Sequence, residues 1–371
     1  MTDRAIRFPG AVLTIDLDAI AANWRFLADR TTPGECGAVV KADGYGIGAT
    51  KATESLIGAG CQRFFVATID EAISLRHSIV GDFEVYVLEG LISKQILPEF
   101  DAYNLVPVLN TPENVRTWSE YAKSNGGRRA ILALDTGMSR LGLTPRETSL
   151  LASEPGVLDG IKIDYVMSHL ACADEPKHPM NEQQRTLFND LRTILPATKA
   201  SFANSGGIFL GPEYHYDLVR PGAALYGLTR SCGAPEKIQQ VIGLKAQILQ
   251  IRVVDTESTV GYAASRTVPA KTRLATVAAG YADGYQRSLS NSGHGYAAGI
   301  KVPVAGRVSM DLTVFDISKV PESCIKPGDD IELICERQTV DDVADAAGTI
   351  GYEILTSLGA RYAKHYVGRA A

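Results

Sequence analysis

Two tryptophans, no CxxC pair and no apolar stretch near the roughly 18 residues that a membrane span needs set the first limits on this 371-residue chain. Its six cysteines, Cys36, Cys61, Cys172, Cys232, Cys324 and Cys335, lie far too thinly for a disulfide scaffold, so reduced thiols in a cytoplasmic protein are expected. The opening MTDRAIRFPGAVLTID has no apolar signal core, which disfavours secretion and membrane insertion. Blocks of like charge are absent too. With 37 Lys and Arg against 42 Asp and Glu, the net charge is -5, without the basic face that nucleic acid demands. There is no fixed-period repeat and no low-complexity linker. What remains, 45% hydrophobic residues with 35 Gly and 15 Tyr, is the composition of a globular enzyme. At roughly 150 residues per domain, the length fits two domains or one large α/β barrel with an appendage.

Between residues 30 and 222 eight short apolar runs stop abruptly at a polar residue or glycine: CGAVVK, RFFVAT, EVYVLEG, LVPVLN, AILALDTG, DYVMSHL, SFANSG and YDLVRPG. Amphipathic segments such as TIDEAISLRHSI, TPENVRTWSEYAKSN and MNEQQRTLFNDLRTIL separate most of them, with apolar residues recurring at three and four. Thr144-Pro145-Arg146-Glu147 has the form of a capping box with proline at N1. Buried strands alternating with helices imply parallel βα units, and eight of them imply an α/β fold with an N-terminal (β/α)8 barrel over residues 1–229. A doubly wound sheet would call for a GxGxxG fingerprint, and Gly44-Tyr45-Gly46-Ile47-Gly48 has the wrong spacing. From residue 230 to 371 the pattern changes to strands of partial period two, including KAQILQIRVVD, RLATVAAGYAD and DDIELIC, with one helix-like stretch, VDDVADAAGTIGYEILTSL. This predicts a mostly antiparallel β domain.

In such a barrel catalytic groups stand at the C-terminal ends of the strands. The polar stops there are Lys41, Thr68, Glu89, Asn110, Asp135, His169, Asn204 with Ser205, and Arg220. Lys41 follows Gly37-Ala38-Val39-Val40 directly, so its ammonium is expected to be partly desolvated and its pKa lowered, as suits a nucleophile or base. The plainer reading is a lysine snorkelling from a strand end.

Several motifs in order narrow the choice. VVKADGYGIGA, LDTGMSRLGL, ANSGG, VRPGAALYG, AAGYADGYQR, AGRVSMD and GTIGYEIL are similar to the motifs of the alanine racemases, fold-type III enzymes that use pyridoxal 5'-phosphate, and the likeness covers essentially the whole chain. The resemblance implies that Lys41 joins the cofactor as an internal aldimine and that Arg220 bonds its pyridine nitrogen. An arginine keeps its proton, so the ring nitrogen stays unprotonated and the cofactor is a milder electron sink. It implies further that Tyr45, Ser205, the backbone near Gly222 and Ala223, and Tyr352 hold the phosphate, and that Arg140 with the Met310 amide of the other subunit receives the substrate carboxylate. Tyr281 matches a substrate-entry tyrosine. Racemisation needs a proton taken from one face and returned on the other, and by resemblance Tyr262 is the second base, tuned through a hydrogen-bonded chain with His169 and Arg220. The outcome would be interconversion of L- and D-alanine in a homodimer whose C-terminal domain completes the partner's site, serving peptidoglycan supply or D-alanine breakdown.

This sequence departs from the family at three positions. Ala133 stands where a lysine often supports the carboxylate-binding arginine, Ala263 where glycine is usual, and Arg266 where an aromatic is usual. Rival readings remain. A decarboxylase of the same fold type would present a carboxylate to the ring nitrogen, where this chain has Arg220; a racemase of broader range would share every motif. A non-enzymatic pyridoxal-phosphate binding protein would resemble the barrel alone. A metal-dependent hydrolase is disfavoured because His77, His169, His178, His215, His294 and His365 show no HExxH spacing, so no metal is expected.

Overall fold

Phe64, Phe65 and Val66 of strand Arg63–Val66, like Val85, Tyr86 and Val87 of strand Glu84–Val87, are at most 1% exposed. Strands buried on both faces pack between covering helices and a filled interior, which is the environment of a parallel barrel. The computed structural model, which describes residues 9–196, 198–234 and 237–368, shows that arrangement. Nine strand segments form one parallel sheet, in chain order from Ala38–Val39 to Leu218–Val219 and then to Glu35–Cys36. Glu35–Cys36 and Ala38–Val39 are halves of one strand interrupted at Gly37. The first half pairs with Leu218–Val219 and the second with Arg63–Val66, which closes an eight-stranded ring. The Gly37 amide donates to the Val219 carbonyl and the Val40 amide to the Phe65 carbonyl, both at 2.9 Å. A Cβ at residue 37 would lie 3.1 Å from the Arg63 carbonyl and 3.2 Å from the Phe65 ring, so glycine permits the close crossing. The predicted (β/α)8 barrel is therefore present, and the doubly wound alternative is not.

Local signals set its helices. Thr68 and Thr144 each head a capping box, for helices Ile69–Ser78 and Pro145–Ser153. Helix Met180–Thr193 buries Gln184, Phe188 and Leu191 at three- and four-residue spacing. At the N-terminal ends of the strands lies a chain of paired charges. Arg129 reaches Asp164 and Glu84, both at 2.6 Å, Arg63 reaches Glu84 at 3.0 Å and Lys199 reaches Glu35 at 3.0 Å.

Among the described residues, the barrel belongs to a compact unit drawn from residues 20–44 and 48–239; the second unit takes residues 9–19, 45–47 and 240–368. Its main sheet runs Ile300–Pro303, His294–Ala297, Asp330–Ile334, Ile242–Val253, Ala11–Asp16, Ala363–Val367, with Arg273–Val277 also paired to Ile242–Val253 and Thr313–Asp316 paired to Arg273–Val277. Every pairing is antiparallel except Ala11–Asp16 with Ala363–Val367, in keeping with the predicted character. The strand Ala11–Asp16 was not foreseen. The single helix expected over residues 340–358 is two, Val340–Ala347 and Gly351–Ser357, because Gly348 takes a left-handed φ of 72° and ends the first. Among the described residues no helix is long and apolar enough to cross a membrane.

The paired charges yield a stability prediction. The Asp164 carboxylate is only 8% exposed, so Arg129→Met leaves a nearly buried anion without its cation, and such breaks cost about 3 kcal/mol. Urea unfolding followed by far-ultraviolet circular dichroism is expected to show that loss, whereas Arg116→Met, which breaks the exposed pair with Glu154, leaves the midpoint in place.

Candidate active site

Lys41 closes the split first strand, and the backbone beyond it winds the wrong way. Ala42, Asp43, Gly44 and Tyr45 have φ of 52°, 53°, 60° and 57°, a left-handed turn closed by the Gly44 amide on the Val40 carbonyl at 2.9 Å. For residues with a Cβ this conformation costs roughly 1–2 kcal/mol each, so the turn is a strained feature held by its surroundings. The Asp43 carboxylate accepts from the Ala49 amide at 2.8 Å, and the Glu71 carboxylate accepts from the Ala42 amide at 2.7 Å. The half-buried Lys41 makes no hydrogen bond or ion pair among the described residues. Burial lowers its pKa, Arg140 lowers it further, and Glu71 and Glu89 oppose both.

Arg220 ends the last strand in a stranger position. It is 4% exposed, yet among the described residues its guanidinium hydrogen-bonds only to neutral oxygens, donating to the Ser168 carbonyl at 2.7 Å and the Ser201 hydroxyl at 2.5 Å. Burial alone pulls its pKa down to about 10. A surface salt bridge is thereby excluded for this residue. Its hydrogen bonds do not go to His169, so the expected hydrogen-bonded link between the two is not formed. They are coupled through charge instead. Desolvation first, then Arg220, Arg140 and Lys41, pull the His169 pKa down to about 3, and the imidazole is neutral at physiological pH.

The neighbouring donors are arranged by backbone. Ser205 is 3% exposed, and its hydroxyl oxygen accepts from the Gly222 amide at 2.9 Å and the Ala224 amide at 3.2 Å, leaving its own proton to donate. Asn204, not Ser205, caps the short helix Ser205–Leu210. Ala223 opens a 3₁₀ turn, where amides lack an internal partner. Arg140 is exposed and unpaired among the described residues. The loop before it is shaped by the Asp135 carboxylate, which accepts from the Gly137 and Ser139 amides at 2.9 and 3.1 Å, while Ala133 is a buried end of strand Arg128–Ala133.

Some of the polar stops serve structure. Thr68 caps a helix, and the Asn110 amide group donates to the Leu88 and Val108 carbonyls. Conversely, Ser168, Ser201 and Gln184 went unnoticed in the sequence. Gln184 donates to the His169 carbonyl at 2.9 Å and to the Thr136 hydroxyl at 3.2 Å, and accepts from the Ala171 amide at 2.9 Å. Its place among buried helix positions 184, 188 and 191 was the available signal.

The remaining candidates lie in the second unit. The rings of Tyr45 and Tyr352 are 6.0 Å apart, and burial pushes the Tyr45 phenol well above its ordinary pKa. Tyr262, Tyr281 and Met310 are 71%, 41% and 52% exposed. Tyr262 opens a 3₁₀ turn in which Ala263 takes φ 60°, a left-handed value that explains why glycine suits that position; Arg266 begins the strand that pairs with Ser258–Val260.

Comparison with known proteins adds independent findings. Residues 15–230 match the family model for the alanine racemase N-terminal domain, and residues 241–366 that for its C-terminal domain. The chain is 48% identical to an alanine racemase of Rhodospirillum rubrum over 361 residues, 96% of each protein. It is 47% identical to a catabolic alanine racemase of Mesorhizobium japonicum, covering 97% of this chain and 94% of that one. It is similar to the crystal structure of alanine racemase from Bartonella henselae with covalently bound pyridoxal phosphate, at a TM-score of 0.92 and 40% identity, over 96% of this chain and 99% of that one.

The His169 environment predicts a pH dependence. Its folded pKa near 3 lies below the unfolded value of about 6.5, so the unfolded chain binds the extra proton and stability falls as the pH drops through that window. His169→Gln is expected to flatten the decline in urea midpoint between about pH 6.5 and 4; an unchanged slope would mean that His169 titrates normally.

Proposed function

Because the chain belongs to the alanine racemase family, we propose that it interconverts L- and D-alanine with pyridoxal 5'-phosphate, using Lys41 and Tyr262 as bases on opposite faces of the substrate. The fit to the cofactor rests chiefly on Arg220. A buried guanidinium without a counter-charge among the described residues suits the lone pair of a ring nitrogen, which accepts a hydrogen bond without a proton having to be given up. Ser205, with its free hydroxyl proton, and the Ala223 amide at the start of its 3₁₀ turn supply neutral donors suited to a phosphate, while the Gly222 amide holds the Ser205 oxygen in place. Lys41, half-buried with a lowered pKa, would hold the cofactor through its amine.

When bound, the cofactor withdraws electrons from the substrate's α-carbon and makes its hydrogen acidic. Lys41 Nζ then moves a proton at the α-carbon on one face and the Tyr262 hydroxyl moves one on the other, so the configuration inverts. Arg220 keeps its own proton throughout, which tempers the electron sink and favours return of the proton over transfer of the amino group. That choice also separates this reading from the decarboxylase. Arg140, exposed and unpaired among the described residues, presents a planar fork to the substrate carboxylate.

The reading includes a homodimer in which Tyr262, Tyr281 and the Met310 amide serve the partner's site. Its support is the exposure of Tyr262, Tyr281, Met310 and Leu312 in one unit, a set of large side chains that a solvent-facing surface does not favour. Six free cysteines support a reducing, cytoplasmic setting.

Lys41→Ala and Tyr262→Phe chains, each inactive alone, test this together. Random exchange makes about half the dimers hybrid, each with one intact site, so activity returns to roughly a quarter of wild type. No recovery despite demonstrated exchange would contradict the shared site.

A further inference from the structure

The Glu71 carboxylate does more than cap its helix. Three backbone amides converge on it: Ala42 at 2.7 Å on Oε1, with Ala67 at 2.8 Å and Thr68 at 3.4 Å on Oε2. The capping-box bond, to Thr68, is the longest of the three. The two short bonds instead join the residue after Lys41 to the residue after strand Arg63–Val66, the strand that pairs with Ala38–Val39. One end of the left-handed turn is thus tied to the adjoining strand, while Asp43 ties the other end to the Ala49 amide at 2.8 Å.

We propose that Glu71 is a positioning residue for Lys41: its carboxylate pins the strained turn and so fixes where the ammonium stands and which charge faces it. This rests on Lys41 being the lysine that captures the cofactor. The chemistry requires a carboxylate at position 71. Both oxygens face N–H donors, so a glutamine could satisfy one side only and would turn its own N–H₂ toward the other. An aspartate keeps the charge but is a methylene too short to span both sides. The charged and titratable groups acting on Lys41 are Arg140, Glu71 and Glu89, together with His169, whose own state responds to Lys41. Glu71 and Glu89 favour the ammonium and Arg140 opposes it.

The test uses the full chain, stripped of cofactor with hydroxylamine, then mixed with pyridoxal 5'-phosphate across about pH 6 to 10, a span reaching below and up to the ordinary lysine pKa. Capture joins Lys41 Nζ to the aldehyde carbon with loss of water. Borohydride then reduces the C=N bond to a secondary amine, which peptide mapping locates. Thr68→Ala, which removes only the cap hydroxyl, is expected to capture as wild type does. Glu71→Asp slows capture by about tenfold or more, the scale of a misplaced reacting group, with the pH midpoint in place. Glu71→Gln slows it similarly and moves the midpoint down by about one unit, since a neighbouring negative charge is lost. Wild-type rate and midpoint in Glu71→Asp and Glu71→Gln, even with lowered melting temperatures, would overturn the proposal and leave Glu71 a cap. Should Glu71→Gln fail to fold, Glu71→Asp alone decides by its capture rate. An adduct on another lysine of the wild-type chain would refute the assignment of Lys41 itself, an outcome distinct from unaltered capture by the variants.

Discussion

Arg220 carries a full positive charge inside the barrel, with a carbonyl and a hydroxyl as its hydrogen-bond partners and no carboxylate among the described residues. Removing a charge from water without pairing it is among the most expensive acts in folding, and a chain selected for stability alone would pair it or remove it. The contrast with the other end of the same strands makes the point. There Arg63, Arg129 and Lys199 each have a carboxylate partner. The two ends of one barrel thus treat cations in opposite ways, which fits an end that carries stability and an end that carries chemistry. The lowered pKa values of Lys41 and His169 come first from burial at that end and then from its cations, Arg140 acting on both and Arg220 on His169.

Strain is concentrated at the same end. The left-handed turn after Lys41 includes Ala42, Asp43 and Tyr45, none of which gains from that conformation by itself. It persists because amides and carboxylates around it are matched, with Glu71 and Asp43 as acceptors. A flexible lysine on a relaxed strand end would lose rotamer freedom each time it engaged a partner. A lysine on an over-determined turn has lost part of it already on folding.

Much of this was legible in the sequence, for identifiable reasons. Eight apolar runs with polar stops read as barrel strands because both strand faces are buried, so alternation vanishes. The first strand's division at Gly37 was hidden, since it depends on which strands the two halves meet. Strand Ala11–Asp16 was overlooked even though its buried positions alternate, and its parallel partner lies at the far end of the chain. Gly348, inside a helical pattern, was a visible stop that the longer periodicity masked. Lys41, His169 and Arg220 could be picked out by position. Ser168 could not, because its contribution is a backbone carbonyl. Glu71 was signalled by Thr68-Ile69-Asp70-Glu71, but that pattern denotes an ordinary cap until the Ala42 and Ala67 amides are seen on the same carboxylate.

The account holds that this chain moves a proton on and off the α-carbon of alanine from both faces. The most direct measurement incubates the purified chain and pyridoxal 5'-phosphate with L-alanine in deuterium oxide, followed by chiral chromatography and mass analysis. The account predicts equal amounts of the two enantiomers at equilibrium, both bearing deuterium at the α-carbon. L-Alanine recovered without inversion, or converted to pyruvate or ethylamine in place of D-alanine, would contradict it.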